Sequence, residues 1–277
     1  MTGWVVEVQA PAGRRTEVGA WLVGATGQAV EERADGTVVG FAETDDSLAL
    51  LRGNLAVRFG TEVVVAVHPG GAVDWSRQWR QGLGPRRFGR LVVTPSWVAE
   101  PAESGMVTLV IDPETAFGTG EHGSTRAALR LLERHLRPGQ RVLDLGSGSG
   151  ILAIAAVLLG ARDAIGIEVD GEAIPVAEGN AERNGVGALV RFLEGDAALL
   201  APLAGPAGLV LSNILRHVNL TLLPSIHAAL QPAGVAIFSG MECPEAPLFR
   251  PVLPEAGFDL LDEIEDDGWW AVAVRRR

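Results

Sequence analysis

Apolar and polar positions divide the chain into two parts with different rhythms. Over residues 1–68, short extended runs at 4–8, 28–33, 37–41 and 62–67 are interleaved with segments at 16–23 and 46–59 whose apolar side chains recur every three or four positions. Asp35-Gly36 between two extended runs is a hairpin signal, because glycine takes the positive φ that a tight turn demands. The order β-α-β-β-α-β predicts a small α+β domain of the ferredoxin-like type. Residues 69–85, with Gly70-Gly71 and Gly82-x-Gly84, predict a linker. Within it Trp75 and Trp79 stand four apart, as on one helix face, and are expected to dock the linker on a domain.

From residue 86 a longer alternation begins. Residues 91–94 and 107–111 read as strands and 124–135 as a helix. Apolar strands at 141–145, 164–168, 189–193, 209–211 and 235–238 then alternate with helices starting near Ile151, Glu172 and His217. Strands at 258–264 and 269–274 around Asp267-Gly268 predict a closing antiparallel hairpin. Such alternation means a parallel sheet with helices on both faces, so 86–277 is expected to be a Rossmann-like α/β domain.

Chemistry enters at the run Val142-Leu143-Asp144-Leu145-Gly146-Ser147-Gly148-Ser149-Gly150, followed by Glu168 at the end of the next apolar strand. A strand opening into a glycine-rich turn and a helix, with a carboxylate on the next strand, is how a parallel sheet binds a nucleoside. The glycines let the backbone approach the ligand, and Glu168 can accept both ribose hydroxyls. A dinucleotide fingerprint, G-x-G-x-x-G, would need its third glycine where Ile151 stands. No Arg or Lys in the turn meets phosphate, and Asp144 just before it would repel a diphosphate while suiting an amine and a sulfonium. The spacing and charge therefore favour S-adenosylmethionine.

Composition changes this picture little. With 277 residues the chain suffices for one large domain or two smaller ones. The excess of 34 Asp and Glu over 23 Lys and Arg argues against a broad footprint on nucleic acid and suits a basic protein partner better. Cys243 stands alone and the five histidines show no H-x-x-x-H pair, so neither a disulfide nor a metal site is expected. The first ten residues lack a basic segment leading into an apolar core, and the apolar run 153–159 is too short for a bilayer, so a cytoplasmic protein is expected. The arginines at 275–277 read as a solvated terminus.

Three further segments bear on function: 112–122, which includes Phe117-Gly118-Thr119-Gly120-Glu121-His122, then Glu194-Gly195-Asp196, and Ser212-Asn213-Ile214-Leu215. The last two follow strand ends and should face the ligand crevice. With Asp74-Trp75-x3-Trp79, Pro95-x-Trp97, the glycine turn and Phe238-Ser239-Gly240, they make the chain resemble, over nearly its whole length, the PrmA-type methyltransferases of a large-subunit ribosomal protein.

The resemblance implies a class I methyltransferase that moves methyl groups from S-adenosylmethionine to lysine side-chain amines of that ribosomal protein, and leaves open whether its N-terminal amine is modified as well. It implies cofactor contacts at Thr125, closing the methionine end, at Gly146 and Gly148 in the turn, at Glu168 on the ribose, and at Asn213 near the transferred methyl. Phe117 and Thr119 are expected to border the cofactor, and Asp196 either meets the adenine amino group or is an exposed loop acid. Asn213 is the expected catalytic residue, its carbonyl aiming the acceptor amine. Thr119, Ser124 or Thr125 can also serve as a helix cap, and His122 as a helix-terminus residue without chemistry.

The family's Thr-His-Pro-Thr-Thr is replaced by Glu121-His122-Gly123-Ser124-Thr125, its frequent Cys by Ser147, its Asp by Glu168 and its small residue by Arg216. Glu121 and Arg216 are charged additions near the expected substrate entrance. The small N-terminal domain is expected to read the protein substrate, and the chain to act as a monomer without direct nucleic-acid or membrane binding. The alternatives are a class I methyltransferase acting on another protein, a nucleic acid or a small molecule, and a non-catalytic cofactor-binding protein. The segment after the fourth strand lacks the Asn-Pro-Pro-aromatic sequence typical of enzymes that methylate adenine or glutamine amines.

Overall fold

The computed structural model describes residues 3–11, 14–26, 30–33, 35–42, 44–60, 63–70, 84–98, 104–111 and 122–277. They belong to two compact units, Met1–Gly82 and Leu83–Arg277. In the first unit β1 (Gly3–Gln9), α1 (Arg15–Thr26), β2 (Glu31–Glu32), β3 (Thr37–Ala42), α2 (Asp45–Phe59) and β4 (Val64–Gly70) follow one another. Among the described residues the sheet order is β2-β3-β1-β4, every pair antiparallel, which is the ferredoxin-like arrangement. Helix α2 starts at a reciprocal cap: Ser47 N donates to Thr44 Oγ1 (3.1 Å) and Thr44 N to Ser47 Oγ (3.0 Å). Its Leu48, Leu51, Leu55 and Phe59, at helical spacing, pack with Val18 and Leu22 of α1 against Val6 and Val8 of the central strand. The second strand, expected over 28–33, is a two-residue edge pairing of Glu31 and Glu32 with Val39 and Val38.

The second unit opens with β5 (Arg86–Phe88), β6 (Leu91–Thr94) and β7 (Val107–Val110), which form a small sheet of their own. The pattern gives no sign of β5, because two arginines precede its single buried residue, Phe88. After α3 (Gly123–His135) come β8 (Arg141–Leu145), α4 (Ile151–Leu158), β9 (Asp163–Glu168), α5 (Ala173–Arg183), β10 (Val190–Glu194), α6 (Ala197–Ala204), β11 (Ala207–Asn213), α7 (Arg216–Ala229) and β12 (Leu230–Glu242). Short helices α8 (Ala246–Phe249) and α9 (Val252–Glu255) lead to the hairpin β13 (Phe258–Asp266) and β14 (Trp269–Arg276). Helix α6 escapes a periodicity reading because it is apolar all round, with Leu199 and Leu203 exposed and only Ala201 buried.

These strands form a sheet of order β10-β9-β8-β11-β12-β14-β13, parallel from β10 to β12 and antiparallel at β14 and β13. Successive residues face opposite cores: Val142, Leu209 and Leu211 join one, Leu143, Leu145 and Val210 the other. Burial on both faces explains the unbroken apolar runs. The order reverses between β8 and β11, and the crevice beyond the carboxyl ends of the strands at such a point is where open α/β sheets bind ligands. The closing hairpin is anchored by Trp270, Phe249, Phe238 and Phe258, whose rings meet edge to face at 5.3–6.2 Å. Among the described residues no helix is long and apolar enough to cross a membrane.

Candidate functional site

Beyond β8 the backbone turns on Gly146, Gly148 and Gly150, at φ of 70°, 50° and 78°. Two of them are also dictated by space: a Cβ on Gly146 would stand 2.5 Å from Ile214 Cγ2, and one on Gly150 2.6 Å from Phe192 Cζ. The turn is tied to β9, with the amides of Gly146 and Ser147 donating to Ile167 O at 2.8 and 3.3 Å and that of Gly148 to Glu168 Oε2 at 2.8 Å. Glu168 Oε1 accepts from Val169 N (2.9 Å) and Asp170 N (3.1 Å). A carboxylate offers about four acceptor positions, and three are taken. Glu168 thus has one position open, and accepting both ribose hydroxyls requires a backbone amide to yield.

Asp196 caps α6, its Oδ1 accepting from Ala198 N at 2.7 Å, and the same exposed side chain borders the crevice. The two readings of Asp196 are thus compatible. Asn213 ends β11; its Nδ2 donates to Thr125 Oγ1 at 3.2 Å, whereas its Oδ1 is buried with no partner among the described residues. Thr125 is fully buried and stands behind Asn213, outside the cavity wall. His122 takes the cap position of α3 without a capping hydrogen bond. It lies in the wall, its Nδ1 2.8 Å from Ser124 Oγ and its ring 4.3 Å, centroid to centroid, from that of Trp269. Burial and then the nearby Arg126 charge, opposed by Asp267, lower its pKa below the ordinary imidazole value, so it is neutral at pH 7.

One cavity of about 720 Å³ collects Gly146, Gly148, Glu168, Asp196 and Asn213. Phe117 and Thr119 lie outside the described residues, as do Glu121, Trp75 and Trp79. Gly240, singled out above only within Phe238-Ser239-Gly240, also lies in the wall, and the sequence gives no sign of Trp269, Leu222 and Val218 there or of Asn219 behind it. Asn219 is fully buried and satisfied: Oδ1 accepts from Ser212 Oγ (2.6 Å), and Nδ2 donates to Ile214 O (2.9 Å) and Ser239 O (3.0 Å). It staples the loop carrying Asn213 to β12. Arg216, anticipated as a charged addition at the entrance, is instead paired with Glu245 at 2.9 Å, which neutralises it locally. Among the described residues no group of three or more His, Cys, Asp or Glu side chains is disposed to hold a metal ion.

Asp144 differs from expectation. It does not line the cavity: it is wholly buried, its Oδ2 accepts from Ala153 N in the first turn of α4 at 3.0 Å, and its Oδ1 has no partner. The helix amide draws the carboxyl inward, so it caps α4 and does not face a ligand amine. Burial pushes its pKa up to about 7, opposed by the Ala153 amide and reinforced by the charge of Glu168. An acid held at about 7 when folded and near 3.8 when unfolded stabilises the fold fully below the lower value. That stability is lost as pH rises through the upper value, on the order of 4 kcal/mol in all. Asp144→Asn lacks this loss, so its melting temperature should gain several degrees relative to the parent chain between pH 4 and pH 7. A difference in melting temperature independent of pH would show that Asp144 is ionised in the fold.

The ionisable walls of the cavity are Glu168, Asp196 and neutral His122, with no Lys or Arg among its described lining residues. Close backbone approach at Gly146 and a carboxylate at the end of β9 fit an adenosyl group, and the lack of a cation fits a sulfonium ligand better than a diphosphate. Fold and site together define a class I methyltransferase whose methyl donor is S-adenosylmethionine. The chain belongs to the ribosomal protein L11 methyltransferase (PrmA) family, whose model matches residues 26–277.

It is 43% identical over 206 residues to the ribosomal protein L11 methyltransferase of Thermus thermophilus, covering 74% of this chain and 79% of that one. With the protein of the same name from Pelotomaculum thermopropionicum it shares 43% identity over 203 residues, 73% of this chain and 65% of the relative. The crystal structure of a ribosomal protein L11 methylase from Lactobacillus delbrueckii subsp. bulgaricus superposes with a TM-score of 0.64 at 30% identity, covering 70% of this chain and all of that one.

Proposed function

We propose that this chain transfers methyl groups from S-adenosylmethionine to lysine side-chain amines of ribosomal protein L11, and to its N-terminal amine, by in-line displacement. The observation that carries the reading is the buried, unpartnered Oδ1 of Asn213, in the wall of the cavity that the glycine turn opens into. When bound, S-adenosylmethionine supplies a methyl group activated by the adjoining sulfonium. The residues of the chain then have to align an amine lone pair with it. A free lysine, with a pKa near 10.4, is only about 0.04% neutral at pH 7, so the acceptor must leave its proton to water before alignment. Asn213 Oδ1 accepts one remaining N–H of the neutral amine and so aims the lone pair. Thr125 holds the amide the right way round by accepting from Nδ2. Neutral His122 adds no positive charge against the incoming amine.

In this reading residues 86–277 form the methyltransferase domain, residues 69–85 link it to the rest, and residues 1–68 recognise the protein substrate. The chain acts as a monomer in the cytoplasm, without binding nucleic acid directly. Shared family membership and the 43% identity to a named ribosomal protein L11 methyltransferase support the substrate. The test is the partition of label from methyl-labelled S-adenosylmethionine between unmethylated ribosomal proteins and ribosomal RNA. Label should enter protein L11 alone. A chain beginning at Arg86 should keep its affinity for S-adenosylhomocysteine and lose transfer to protein L11, and retained transfer would reject the reader role of residues 1–68.

A further inference from the structure

The cavity extends beyond what a nucleoside cradle requires. Its walls follow the sheet order: Asp196 after β10, Glu168 at the end of β9, the glycine turn after β8, Asn213 at the end of β11, Gly240 in β12 and Trp269 at the start of β14. Because β14 runs antiparallel to β12, its first residue lies at the same edge as the last residues of the parallel strands, with Trp269 opposite Glu242. Strands β9 and β14 are four intervals apart in the sheet, about 19 Å at about 4.8 Å each. Both carboxylates lie at the β9–β10 end. The far end is walled by His122, Ser124, Ile214, Leu215, Gly240 and Trp269 and has no charged group among its described residues.

Trp269 is held in place from several sides. Its ring packs on His122, and Gly123 leaves room for it, since a Cβ there would stand 2.7 Å from Trp269 Cδ1. The preceding turn is clamped to α3 by Asp266, whose Oδ1 accepts from Arg126 Nε (3.1 Å) and whose Oδ2 lies 2.7 Å from Arg130. The next residue, Trp270, is buried on the opposite face among Phe249 and its neighbours, and strand alternation turns Trp269 to the α3 side. A half-buried indole so fixed, at the uncharged end of the cavity beyond Asn213, is built for an aliphatic stem with a cationic head.

We propose that Trp269 is the acceptor-specificity residue, its indole receiving the methylenes and the ammonium or methylammonium head of the substrate lysine. The proposal rests on the reading that the acceptor is an amine. An aromatic contact with a cation is worth about 0.5–2 kcal/mol, a factor of about 3 to 30 in binding. The indole receives the head as the protonated amine, which then loses its proton to water before its lone pair is aligned with the methyl group.

The test compares the full chain with Trp269→Ala and Trp269→Phe. Trp269→Ala should raise KM for ribosomal protein L11 by about 3- to 30-fold. The affinity for S-adenosylhomocysteine should stay within about twofold, and Trp269→Phe should restore most of the loss. Butyltrimethylammonium with S-adenosylhomocysteine, followed by saturation-transfer NMR, gives a readout independent of turnover: the parent chain should bind it and Trp269→Ala should not. Equal binding by both chains, binding by neither, or an unchanged KM would overturn the proposal. So would a loss of cofactor affinity as large as the rise in acceptor KM. A parent chain that labels no ribosomal protein yet binds the probe through Trp269 would reject the substrate reading and leave this one standing.

Discussion

Gly240→Ala should cut methyl transfer by about a hundredfold or more. Gly240 sits in β12 at φ 79°, and a Cβ there would lie 2.5 Å from Ile214 O and 2.7 Å from both Ile214 C and N. All three are backbone atoms, so no side-chain rotation relieves the collision, and the left-handed conformation adds about 1–2 kcal/mol of strain. Ile214 must move, and it follows Asn213 directly while its Cγ2 fills the space that Gly146 leaves open. The displacement therefore reaches both Asn213, proposed to aim the amine, and the glycine turn. Misplacement of about 1 Å in such a site costs on the order of a hundredfold in rate, so kcat should fall by about that factor or more. The melting temperature should drop with it. Turnover near that of the parent chain would mean that the Asn213 loop tolerates movement and that its close packing serves stability alone.

Asn213→Ala should lose transfer while keeping the cofactor. The substitution removes the carbonyl proposed to accept the amine N–H and leaves the glycine turn and Glu168 hydrogen bonds untouched, since Asn213 bonds to Thr125 and to neither of them. Loss of one preorganised polar group at a reacting centre costs on the order of a hundred- to a thousandfold in kcat. The affinity for S-adenosylhomocysteine, measured by calorimetry, should change by less than about threefold, because a single neutral hydrogen bond contributes only about 1 kcal/mol. A parallel fall in affinity and rate would place Asn213 among the groups that hold the cofactor and remove it from the reacting centre.

The parts of this site that could be read from the chain are those where local backbone geometry demands a residue type. Gly146, Gly148 and Gly150 were legible because their turn needs positive φ, and Glu168 and Asn213 because they end strands whose apolar runs mark them. Trp269 was not, because its place in the wall depends on β14 returning antiparallel beside β12, a register that neither strand announces. Asn219 was hidden for a related reason: it looks like a polar helix residue until its three partners on β11, the following loop and β12 converge on it. Asp144 reads as a ligand neighbour from its place before the turn, but the Ala153 amide draws it inward, while Thr125, which the family resemblance brings to the cofactor, is the hydrogen-bond partner of Asn213. Arg216 reads as a charged addition at the entrance because Glu245, its partner, lies 29 residues away.

The central claim is that one cavity brings the methyl donor, through the loops of β8 to β10, to an amine of protein L11 aimed by Asn213. Mass spectrometry of purified, unmethylated protein L11 after incubation with the full chain and S-adenosylmethionine tests it most directly. Mass increments of whole methylene units should appear, map to amines, lysine side chains among them, and vanish with Asn213→Ala. Unmodified protein L11 under conditions where the chain binds S-adenosylmethionine, or methyl groups on residues other than amines, would contradict it.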